Sequence, residues 1–118
     1  MTVDEFFAGE ALSRKLFDQI FNILAGLGEI ETRVTKSQIC LRHGKAIAWV
    51  WMPGKYLKRA VAPLVLMFVF DHKDPSPRWK EIVEPSPGHF THHLELYSLD
   101  EIDKQVEGWL KQAWTNTN

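Results

Sequence analysis

The chain has 118 residues, 45% of them apolar and 25% charged, which indicates one globular domain, residues 1–118, able to bury roughly two-thirds of its unfolded surface. Its lone Cys40 excludes an internal disulfide and fits a reducing cytoplasm. The formal net charge of −1 hides an uneven distribution: residues 33–80 hold ten Lys/Arg against two acids, a net +8, whereas residues 1–32 carry −4 and residues 81–118 carry −5. If folding keeps these blocks apart, one face is basic and attracts an anion.

In chain order, Thr2 and Glu5 form a capping box for a short opening helix that Gly9 interrupts. A longer helix is predicted over residues 11–27, where Leu12, Leu16, Phe17, Ile20, Phe21, Ile23, Leu24 and Leu27 make one apolar stripe. Gly26 and Gly28 supply its stop. The middle of the chain reads as strands. Residues 29–34 alternate with the period of a half-buried strand. Residues 37–43 set Ile39 and Leu41 against Gln38, Cys40 and Arg42. His43-Gly44-Lys45 marks a hairpin turn. Residues 46–52 and 64–70 are apolar on both faces and read as inner strands. Pro53-Gly54 ends the first of these. The longest apolar run, residues 61–70, is too short to cross a bilayer, so no membrane contact is expected.

Residues 71–77 form a polar loop, residues 79–83 a further strand, and residues 84–88 a break rich in Pro. Residues 90–97 alternate again. The closing helix is predicted from Ser98, which caps it with Glu101. Its apolar stripe is Leu99, Ile102, Val106, Trp109, Leu110 and Ala113. Asp100, Asp103 and Glu107 are accounted for by capping and the helix dipole, and Asp100–Lys104 and Glu107–Lys111 are oriented as i,i+4 pairs. About six strands between terminal helices give an α+β fold: an N-terminal helix, a mainly antiparallel sheet and a C-terminal helix in two layers.

Several stretches read together: residues 5–9 (EFFAG), 33–39 (RVTKSQI), 48–50 (AWV), 80–84 (KEIVE), 90–93 (FTHH), and Asp103 with Trp109-Leu110 and Ala113. In that order the chain resembles a family of small bacterial domains catalogued as a domain of unknown function, with members labelled "predicted transport protein". The resemblance covers nearly the whole length and implies a fold without an activity. More distantly, the chain is similar in size and element order to small domains of the YdhG and YjbR type, some of them DNA-binding-like in shape. That likeness belongs to fold, which does not set function.

The candidate anion site comprises Lys36, Arg42, Lys45, Lys55, Lys58 and Arg59. If residues 55–59 make one helical turn, Lys55, Lys58 and Arg59 project from one side, and Arg42 is able to grip a phosphate bidentately. Trp51 and Tyr56 are candidates for stacking on a base. The plain alternative is that these cations are solvated edge residues. A metal site using His93 and Glu95 is a weaker alternative. His92 faces opposite to His89 and His93 by strand alternation and reads as a core histidine. Cys40 and His43, an odd number of steps apart, face opposite ways, so Cys40 reads as a structural thiol. No Gly-rich phosphate loop, nucleophile elbow, metalloprotease motif or C-x-x-C occurs, and no cofactor is expected.

These features favour a small cytoplasmic binding module over an enzyme. Its basic face would engage nucleic acid or a phosphorylated small molecule. The alternatives are a protein-interaction or self-associating domain, and a small enzyme or metal-binding domain built on His93 and Glu95.

Overall fold

The computed structural model describes residues 1–57 and 59–116. Helix α1 (Val3–Phe6) opens the chain through the expected box: Glu5 N–H donates to Thr2 Oγ1 and Thr2 N–H donates to Glu5 Oε1. Phe6 and Phe7 end it inside the core, their rings edge to face. Helix α2 (Ala11–Ala25) buries Leu16, Phe17, Ile20 and Leu24 on the stripe its periodicity specified. It stops two residues before the expected end.

Strands β1 (Glu31–Val34), β2 (Ile39–His43), β3 (Lys45–Trp51), β4 (Leu64–Phe70), β5 (Glu81–Ser86) and β6 (His89–Leu96) build one sheet in the order β1-β2-β3-β4-β6-β5. Each pairing is antiparallel. The α+β class and the two layers are therefore as the pattern of elements indicated. Strand β4 (LVLMFVF) is inner, and its apolar character on both sides follows from that position. Ile39, Leu41, Val50, Leu64, Leu66, Phe68, Leu94 and Leu96 point to the helical side and are closed off from water. There they meet α2 and α3 (Lys104–Asn116).

Most expected elements shift by one or two residues at an end, and two are reorganised. Trp79 is not part of a strand; it lies buried in the turn before β5, and β5 instead runs on through Pro85 to Ser86. An edge strand tolerates a proline, and the register breaks between Val83 and Ser86 to admit it. The closing helix is divided. The Ser98–Glu101 capping box is present, but it closes a 3-10 turn over Leu99–Glu101. Helix α3 starts afresh after Asp103, whose Oδ1 accepts the Val106 N–H at 3.1 Å. Neither of the expected i,i+4 pairs on this helix is among the ion pairs of the described residues.

Candidate functional site

The five candidate cations among the described residues do not share one face. Lys36 is exposed in the turn between β1 and β2. Thr35 organises this turn: its hydroxyl donates to Gln38 O and accepts the Gln38 N–H. Tyr56 Oη donates to Lys36 O at 3.5 Å, tying this turn to the start of the β3–β4 connection. Arg42 and Lys45 sit at the opposite end of the sheet, around the hairpin whose Gly44 has φ +73°. Arg42 Nη2 donates back to Gly44 O there. The antiparallel register explains the split, because consecutive turns of a meander lie at alternate ends of the strands.

The expected helical turn at residues 55–59 is a 3-10 turn over Pro53–Lys55, after which the chain bends away. Spacing by four therefore does not set Lys55 and Arg59 on one helical side. Lys58 lies outside the described residues. Lys55 reaches toward the helical layer, its Nζ 3.8 Å from the centroid of the Phe6 ring, a cation–π contact. Lys55 and Arg59 are nonetheless brought together on a cleft of about 410 Å³, also bounded by Glu10, Leu12, Ser13, Val61 and Pro63. Neither cation is in an ion pair among the described residues.

The cleft exists because the start of α2 is pinned to the residues leading into β4. Ser13 is 4% exposed, and its Oγ donates to Pro63 O at 2.7 Å. Glu10 holds the N-cap position of α2 without a side-chain capping bond, and Glu10, Leu12 and Ser13 of that first turn line the cleft. Sequence reasoning placed Lys55 and Arg59 in the site but missed Glu10 and Ser13. They belong to a helix some fifty residues away in the chain, and no local signal joins them to Pro63.

The two stacking candidates do meet: the Trp51 and Tyr56 rings lie 6.3 Å apart at 40°. Tyr56 is 55% exposed. Trp51 is half-buried, and its Nε1 is buried with no hydrogen-bond partner among the described residues.

His92 is the core histidine its alternation indicated. Its Nε2 accepts the Asp74 N–H at 3.0 Å and its Nδ1 faces Phe90 O at 2.9 Å, so the neutral ring carries its proton on Nδ1. Burial pushes its pKa below 6.5. Asp74 in turn accepts the Ser76 N–H and the Trp79 indole N–H, each at 3.0 Å. Burial opposes the charge on Asp74, but these donors and Trp109 outweigh it and hold its pKa below 3.8. Residues 71–77, read from sequence as a polar loop, together with Trp79, read as the start of a strand, are thus the framework of a buried network. The clue available was Asp74 two residues before Ser76, the spacing of an Asx turn.

His93 and Glu95 share the other face of β6, where each has another neighbour. Glu95 pairs with Lys80 at 3.6 Å. His93 lies between Met67 and Glu81 in the register; burial, with Lys80 adding to it, lowers its pKa against the pull of Glu81. Among the described residues no group of three or more His, Cys, Asp or Glu side chains is placed to hold an ion. Cys40 is buried, and His43 turns to the other side, where its ring stacks on Trp114 at 4.0 Å.

A family model described as "Domain of unknown function (DUF5655)" matches residues 3–117. No curated protein and no solved structure matches the chain.

Proposed function

We propose that this chain, which belongs to the family described as a domain of unknown function (DUF5655), is a binding module that takes a small phosphorylated ligand in the cleft between the start of α2 and residues 59–63. One observation carries this reading: Lys55 and Arg59, both from the basic block, open on one cleft and have no carboxylate partner among the described residues. Arg59 is suited to bidentate contact with phosphate oxygens, and Lys55 adds a compact charge. The uncapped turn of α2 contributes amide donors and a favourable dipole. A volume of about 410 Å³ falls in the range of small-molecule sites, roughly 300–1,000 Å³.

Binding rather than turnover is the reading because the Ser13 hydroxyl is already committed as a donor to Pro63 O. Glu10, on the same cleft, favours a ligand that offers a hydroxyl or amino donor beside its phosphate, since a bare polyanion would meet repulsion there. Among the described residues no helix is long and apolar enough to cross a membrane, and the single buried cysteine fits a cytoplasmic setting.

Titration with inorganic phosphate and with a nucleoside monophosphate, followed by amide chemical shifts, tests the reading. We expect shifts at Ala11, Leu12, Ser13, Lys55 and Arg59, and affinity that falls as salt rises. Lys55→Ala and Arg59→Ala should each weaken binding by about tenfold, the loss of one hydrogen bond to a charged group. Shifts confined to Arg42 and Lys45, or none with either ligand, would sink it.

A further inference from the structure

Among the described residues, one side of the sheet carries no helix. The register places Arg33, Cys40, Trp49, Met67, His93 and Glu81 in a single row across all six strands, from β1 at one edge to β5 at the other. An adjacent row adds Val69, Thr91 and Val83; on the other side Val65 is already closed off from water and Trp51 packs against Tyr56, so the open part of the face ends there. A shallow groove of about 270 Å³ runs among Gln38, Trp49, Met67, Val69 and Thr91. Val83 is 43% exposed. The centre of this face is apolar and aromatic, as an interface core is.

Its edges carry opposite charges. Arg33 is exposed at the β1 edge and Glu81 is exposed at the β5 edge, and neither is in an ion pair among the described residues. The other charged groups near the face are Glu31 and Arg42, opposite one another in the register, and the Lys80–Glu95 pair. We infer that this face docks against the same face of a second copy of the chain, about a two-fold axis parallel to the strands.

The charges select that axis. A two-fold in the interface plane and parallel to the strands reverses strand order while keeping each row on itself. It sets Arg33 over Glu81 of the partner subunit and Trp49 over Met67 of the partner subunit. The first contact joins opposite charges; the second is a sulfur–aromatic contact. Both occur twice, as in any isologous interface. A two-fold perpendicular to the strands would instead oppose Arg33 to itself and Glu81 to itself, and like charges disfavour it. Strands about 4.8 Å apart give the face a flat extent of roughly 600 Å² per copy; with Val65 and Cys40 already closed off from water, the buried total stays below roughly 1,200 Å², the size of a weak, reversible association. Two sheets packed with nearly aligned strands are a common arrangement. The cleft at Lys55 and Arg59 does not enter this row.

Sedimentation of the full chain over a range of concentrations tests the inference, with each variant checked for folding by circular dichroism. We expect a reversible dimer. Arg33→Glu and Glu81→Arg should each raise the dissociation constant by about tenfold, because each change converts two attractive contacts into two repulsive ones. The double variant should return toward the parent value. A monomer at high concentration, single variants without effect, or a double variant no better than the singles would each overturn it. So would a monomer whose tryptophan fluorescence is quenched by a single-stranded oligonucleotide, because that face would then have a different occupant.

Discussion

Both ring nitrogens of His92 are engaged, one facing Phe90 O and the other accepting the Asp74 N–H. A charged imidazole has no acceptor to offer that amide. With its folded pKa held below 6.5 by burial, the unfolded chain takes up a proton that the folded chain resists. The contribution of His92 is therefore complete above about pH 6.5 and is lost as pH falls toward the lowered folded value, by up to about 1.4 kcal/mol per pH unit. His93 acts in the same direction. We expect the urea midpoint of the parent to drop between about pH 7.5 and pH 5.5, and His92→Gln, which keeps an acceptor but cannot titrate, to flatten part of that drop. An unchanged drop would place the titration elsewhere.

At the level of elements, the split closing helix turns on Arg78. Its guanidinium donates to both oxygens of Asp103, to Gln105 Oε1 and to Glu101 O. The Val106 N–H first, and Arg78 with it, hold the Asp103 pKa below 3.8. One residue thus ties the loop before β5 to both the 3-10 turn and α3. Asp103→Ala should cost about 1–2 kcal/mol in chemical denaturation, from the lost cap and charged hydrogen bonds. Arg78→Lys should not restore what Arg78→Ala loses, because an ammonium cannot span these acceptors. Full rescue by lysine would show that charge alone matters. The capping box at Ser98 was legible in the sequence. The restart at Asp103 was not, since Ser98 and Asp103 are both good N-cap residues and only Arg78, twenty-five positions away, favours the second.

For the whole molecule, the sheet separates two jobs. Leu66 and Met67 are neighbours on β4, yet Leu66 is fully buried against the helices and Met67 lies on the uncovered face. Leu66→Ala should cost about 2–5 kcal/mol of stability. Met67→Ala should cost clearly less in the monomer and weaken the proposed self-association instead, read by denaturation and sedimentation on the same samples. Equal losses of stability would mean that both faces are core. The charge block acquires a different meaning at this scale. Its members divide among the cleft (Lys55, Arg59), the two ends of the sheet (Lys36; Arg42 and Lys45) and the uncovered edge (Arg33).

The sequence by itself determined the class of fold, the order of elements and the burial of His92 and Cys40. Caps, side-chain alternation and the helical stripe act within a few residues of chain, so they are readable there. Only the tertiary structure decided which cations share a cleft, which tryptophans lie on an open face and where Arg33 stands relative to Glu81. Those relations depend on strand order and on the path of residues 52–63, which bring together groups from separate segments of the chain, and no local pattern encodes such a meeting.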